Sequence, residues 1–113
     1  MIIDSHLHTC GPPYDDEPLF WHLHDGKRLP ANCTRKDSSP EMLLLDMDEC
    51  GVDVAVVNAI EGWASNEDVS EMVRAHPGRL VGFAWVGNPK DGKASVEELE
   101  HAVESLGLKG LKL

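Results

Sequence analysis

A chain of 113 residues with 42% hydrophobic content can bury one modest core, so a single compact unit is expected. Twenty acidic residues against ten basic ones leave a formal charge of -10, which repels phosphate backbones and acidic membrane surfaces and so argues against a nucleic-acid or membrane partner. No run approaches the roughly 20 apolar residues that span a bilayer, Met1-Ile2-Ile3 lacks the features of an export signal, and Cys10, Cys33 and Cys50 form no C-x-x-C pair. A cytoplasmic protein with reduced thiols is expected.

Residues 1–8 read as a strand that runs into His6-Leu7-His8. Alternate residues of a strand share a face, so His6 and His8 present two imidazoles side by side, with Asp4 one step behind. That spacing suits a divalent metal such as zinc, whose catalytic sites take three protein ligands and leave one position for water. Two histidines filling a packed layer or facing solvent would show the same spacing. Asp4 is placed as a support for the histidine rings, because ligating imidazoles need their second nitrogen oriented.

Residues 10–38 are rich in Gly, Pro, Asp and His and have no sustained period, so they read as an irregular loop or lid. Cys10 reads as a small buried filler. His22-Leu23-His24 repeats the His-x-His spacing without a strand pattern, which places Trp21, His22 and His24 on the lid. Tyr14 and Arg28 join them as lid candidates for holding an acidic substrate.

Ser38 with Glu41 fits a capping box, Pro40 suits a first turn, and Leu43, Leu44 and Met47 share a face before Gly51, which predicts a helix over about 40–50. The β-branched run from Val52 to Ile60 predicts a parallel strand covered on both faces. Glu61-Gly62-Trp63 follows it, and Trp63 is a candidate for the pocket rim. Ser65 with Asp68 caps a second helix that ends near His76-Pro77-Gly78, where His76 meets the negative end of the helix dipole. Leu80 to Val86 predicts a third strand, Ser95 with Glu98 caps a third helix ending at Gly107, and Leu108 to Leu113 starts a fourth strand. His101 falls off the apolar stripe of the third helix and reads as solvated.

Strict alternation of strand and helix implies right-handed crossovers and a parallel sheet, either open and doubly wound or part of a (βα) barrel. Thr9-Cys10-Gly11-Pro12-Pro13 is neither G-x-G-x-x-G nor a P-loop, and the histidines stand at the end of a strand where barrels place ligands. The expected fold is therefore α/β, the N-terminal half of a TIM-type (βα)8 barrel with four strands and three helices. Four parallel strands leave two open edges, so either the remainder of a longer chain or a second copy in a homo-oligomer is expected to close them.

Ile3-Asp4-x-His6-x-His8, Asp48-Glu49-Cys50-Gly51-Val52-Asp53, His76 to Ala84 and Gly107 to Leu113 together resemble the amidohydrolase-related family, in the branch that includes aminocarboxymuconate-semialdehyde decarboxylase. The resemblance implies a barrel holding one divalent metal, most commonly zinc, with His6 and His8 as two ligands and a histidine and an aspartate from later strands as others. It places no catalytic residue within these 113 positions and puts the activity of the chain alone in question. It implies hydrolysis of C–N or C–O bonds, or decarboxylation of a small unsaturated or aromatic acid, through a metal-bound water. The substrate would be a small carboxylic acid or amide. A phosphoesterase of the polymerase-and-histidinol-phosphatase type or a TatD-like nuclease opens on a similar Asp-x-His-x-His strand, but neither accounts for the His76 to Ala84 segment. A reading of a different class is a non-catalytic half-barrel that self-associates and binds little metal.

Overall fold

The computed structural model describes residues 1–113, in which six strands and three helices follow one another. They are β1 (Ile3–Leu7), β2 (Pro18–His22), β3 (Arg28–Thr34), α1 (Pro40–Cys50), β4 (Val54–Asn58), α2 (Asn66–Ala75), β5 (Leu80–Trp85), α3 (Gly92–Glu104) and β6 (Gly110–Lys112). Strands β1, β4, β5 and β6 form one parallel sheet in that order, and β2 and β3 pair antiparallel as a separate ribbon. Parallel neighbours need crossovers, and the three helices supply them, so the sheet curls as the first half of a TIM-type barrel. No helix is long and apolar enough to cross a membrane.

One face of the sheet carries the core. Ala55 and Val57 of β4 and Leu80 and Ala84 of β5 pack with Met47 of α1, Val69 and Met72 of α2, Ala102 of α3 and the connecting Leu108. Gly82 lies at the closest approach. A Cβ there would stand 2.6 Å from Leu108 Cδ2 and 2.8 Å from Val69 Cγ1, so only a glycine lets helix and strand meet at this depth. The opposite face, with Val54, Val56, Val81 and Phe83, is only partly covered. The apolar run of β4 predicts cover on both faces, and the structure supplies it on one because four strands do not close the barrel.

The caps show where local rules compete. Ser39, not Ser38, caps α1, its hydroxyl accepting the Met42 N–H at 3.3 Å. Pro40 occupies the first helical position, which fixes the cap one residue before it. Ser38 turns away, and its carbonyl accepts the Cys10 N–H at 2.9 Å. Ser65 and Asp68 form the expected reciprocal box at α2. Helix α3 starts at Gly92, three residues ahead of the expected cap, because Ser95 and Glu98 are spent on the preceding turn: Ser95 donates to the Asn88 carbonyl and Glu98 accepts the Gly87 N–H.

The largest departure from expectation is in residues 10–38. This segment is not one irregular loop, since it contains the β2–β3 hairpin, turned through Leu23 to Lys27 with Gly26 at φ 80° and the Asp25 carboxylate accepting the Lys27 N–H. Asp25-Gly26 is a recognised turn signal, but the flanking strands do not alternate cleanly and carry Pro18 and Pro30. Pro30 is tolerated because a two-stranded ribbon consists of edge strands alone.

Candidate functional site

A bulge in β1 aims its histidines. Asp4 pairs with Ala55 and Leu7 with Val57, three residues on β1 against two on β4, and this turns Leu7 toward the core. His6 and His8 are left together on the uncovered face, at the end of β1 where barrels hold their ligands. Their rings stand edge to face with centroids 5.1 Å apart.

The Nδ1–H of His8 donates to the Asn58 carbonyl at 3.0 Å. A carbonyl cannot donate, so this bond sets the tautomer and leaves the Nε2 lone pair free. Burial pushes the imidazole below its usual pKa; the Asn58 carbonyl opposes this, and the charges of Lys112 and His6 reinforce it. His8 therefore stands neutral at physiological pH, with one nitrogen oriented by the backbone and the other available as a donor. Asn58 is 2% exposed, and its side-chain amide reaches the Leu7 and Val56 carbonyls at 3.4 and 3.3 Å, clamping β4 to the end of β1.

Asp4 does not reach either ring. It is exposed, and its carboxylate accepts the backbone N–H of His6 at 3.1 Å, so it shapes β1 while Asn58 orients the imidazole. Asn58 escapes a reading of spacing because the group it offers is a backbone carbonyl 50 residues away from His8 in sequence.

The hairpin leans over this mouth. Trp21 of β2 stacks on Trp63 with centroids 4.3 Å apart, and the His8 ring meets Trp21 and Trp63 edge-on at 6.0 and 6.3 Å. Trp63, the candidate for the pocket rim, is 8% exposed. Its Nε1–H donates to the Phe20 carbonyl at 2.9 Å, and it packs with Cys10 and Leu19 in a small second core. Cys10 is fully buried there, as a filler should be.

His22 and His24 do not act as a second strand pair. His22 ends β2 with its ring against Gly62, where a Cβ would fall 2.5 Å from Nε2, and His24 lies in the turn. Both line, with Trp21, Trp85 and Lys112, a cleft of about 560 Å³ between hairpin and sheet. Arg28 instead lays its guanidinium over Phe20 at 4.9 Å, and Tyr14 lines a separate groove with Pro40 and Asp68. His76 caps the end of α2, and His101 is exposed beside Glu67 at 3.8 Å. No three His, Cys, Asp or Glu side chains converge closely enough to complete a metal site. His6 and His8 bring two suitable donors, and a third would have to come from elsewhere.

The amidohydrolase family model matches residues 3–113. No curated protein is similar enough to count as a match. Among solved structures, a probable 2-pyrone-4,6-dicarboxylic acid hydrolase from Acinetobacter baumannii, crystallised with citric acid bound, is 18% identical with a TM-score of 0.62 over 99% of this chain and 37% of its own. A 4-oxalomesaconate hydratase from Rhodopseudomonas palustris is 24% identical with a TM-score of 0.63 over 100% of this chain and 41% of its own. The chain thus spans about two-fifths of the length of these structures, and the likeness is one of fold.

Proposed function

Because the chain belongs to the amidohydrolase family, we propose that it supplies the first two metal ligands, His6 and His8, of an enzyme that adds water to a small unsaturated carboxylic acid. The observation that carries this reading is the His pair itself: two imidazoles on one face at the end of β1, one of them held neutral with its Nδ1–H on the Asn58 carbonyl. Two nitrogen donors and one oriented ring match what zinc takes from a protein. When bound, such a metal supplies Lewis-acid polarisation and makes water a nucleophile at neutral pH.

The residues of this chain contribute orientation and shelter. Asn58 keeps the His8 ring from rotating, and the Trp21–Trp63 stack presents a flat apolar wall beside it. Support for water addition comes from the fold neighbour named as a 4-oxalomesaconate hydratase, and the probable 2-pyrone-4,6-dicarboxylic acid hydrolase also has water as its co-reactant. Decarboxylation is the second reading, favoured by the four segments, Ile3 to His8, Asp48 to Asp53, His76 to Ala84 and Gly107 to Leu113, that together resemble the family containing aminocarboxymuconate-semialdehyde decarboxylase. Release of CO2 from a turned-over acid would separate it from hydration.

Zinc titration followed calorimetrically tests the proposal. H6A and H8A are each expected to weaken zinc uptake by more than about tenfold, while H24A leaves it unchanged. Uptake indifferent to both His6 and His8 would refute the assignment.

A further inference from the structure

Two of the three cysteines belong to one small cluster beneath the hairpin. Cys10, in the loop that leaves β1, is fully buried with Leu19 and Trp63, and Cys33 of β3, partly exposed, packs against the same group. A bulge builds this approach. Pro18 pairs with Thr34 and Phe20 with Pro30, so Ala31, Asn32 and Cys33 stand against Leu19 alone, with Asn32 in the left-handed region at φ 59°. Bulges re-aim side chains, and this one sets Cys33 on the cluster.

One serine touches both cysteines. The Ser38 carbonyl accepts the Cys10 N–H at 2.9 Å, and the Ser38 hydroxyl donates to the Cys33 Sγ at 3.4 Å. The Cys10 thiol donates to the Arg35 carbonyl at 2.9 Å, and the Arg35 guanidinium donates to the Gly11, Pro12 and Pro13 carbonyls. The end of β3 and the residues after it therefore grip the loop that carries Cys10, and no covalent bond helps them. Cys50 lies elsewhere: it ends the 11-residue α1, about 16 Å along that helix from Pro40.

We propose that Cys10 and Cys33 form a dithiol latch, which a low-molecular-weight disulfide such as oxidised glutathione converts into a disulfide that fixes the hairpin over the mouth of the sheet. The partly exposed Cys33 reacts first. Its thiol loses a proton and attacks one sulfur of the oxidant, forming a mixed disulfide and expelling one glutathione thiolate. The Cys10 thiol, reached when the hairpin opens locally, then loses its proton and attacks the Cys33 sulfur, which forms the Cys10–Cys33 bond and expels the second glutathione thiolate. The two thiolates take up the two protons, so two protein thiols are oxidised and one glutathione disulfide is reduced to two thiols. The latch acts on the hairpin and does not depend on what His6 and His8 bind.

The test incubates the folded protein with oxidised glutathione, then maps disulfides by mass spectrometry after trypsin without reductant. Cleavage at Lys27, Arg28 and Arg35 separates the peptide of residues 1–27, with Cys10, from that of residues 29–35, with Cys33. The two should appear joined, two hydrogens lighter than their sum, in the parent protein and equally in C50S. C10S should stop with glutathione on Cys33, whereas C33S should leave the buried Cys10 unmodified. In urea the selectivity should vanish and pairings with Cys50 appear. A functional readout uses C50S, whose core is untouched: oxidation should slow amide exchange over residues 18–34 by at least about tenfold, and dithiothreitol should reverse it. Absence of the joined peptides from the folded protein overturns the proposal, as does hairpin exchange that the disulfide leaves unchanged.

Discussion

Replacing Trp63 by phenylalanine tests whether the hairpin is held over the site by one residue. Trp63 is 8% exposed, stacks on Trp21 at 4.3 Å and donates its Nε1–H to the Phe20 carbonyl at 2.9 Å. Phenylalanine keeps an apolar ring but has no donor, which costs about 1 kcal/mol for the lost bond. The smaller ring also loses part of the stack, about 0.5–1 kcal/mol more. W63F should therefore destabilise by about 2 kcal/mol, and W63A, which empties the site, by about 3–5 kcal/mol. The loss should be local first, because a two-stranded ribbon is marginal alone and β2–β3 rests on the small cluster of Cys10, Leu19 and Trp63. Hydrogen exchange read per segment alongside urea denaturation checks this: amides of 18–34 should exchange faster in W63F well before the sheet does. Unchanged hairpin exchange together with a stability change under about 0.5 kcal/mol would refute the reasoning.

Two other outcomes follow from the same geometry. Gly82→Ala places a methyl group 2.6 Å from Leu108 and 2.8 Å from Val69, and should lower stability by about 1–3 kcal/mol in thermal or urea unfolding; a neutral result would mean that α2 moves freely on the sheet. His8 has its folded pKa below the usual imidazole value of 6.5, so below that pH the unfolded chain binds more protons than the folded one, and stability should fall as pH drops from 6.5 toward the folded value. In chelator, H8Q should show a shallower loss over that window than the parent protein, and identical pH profiles would contradict the buried, neutral assignment.

Much of the scaffold is local in origin and was therefore legible in the chain. The β-branched run of β4, the Ser65–Asp68 box and the glycine after α1 each act through neighbours a few residues away, so pattern and element coincide. His6-x-His8 was legible for the same reason, since strand periodicity alone puts both rings on one face. The ribbon at 18–34 was not, because its stability comes from Trp63, a residue beyond the next helix and strand, and its own strands have little alternation.

What the sequence by itself determined is the alternation of the parallel strands and helices and the residue types that face the mouth of the sheet. Only the tertiary structure decided how those residues work on one another. It brought the Asn58 carbonyl to His8, laid Trp21 on Trp63 and turned the Asp4 carboxylate to the His6 N–H. Each of those contacts, apart from that of Asp4, joins segments tens of residues apart, and spacing along a chain carries no information about a meeting that depends on how strands pair and helices cross.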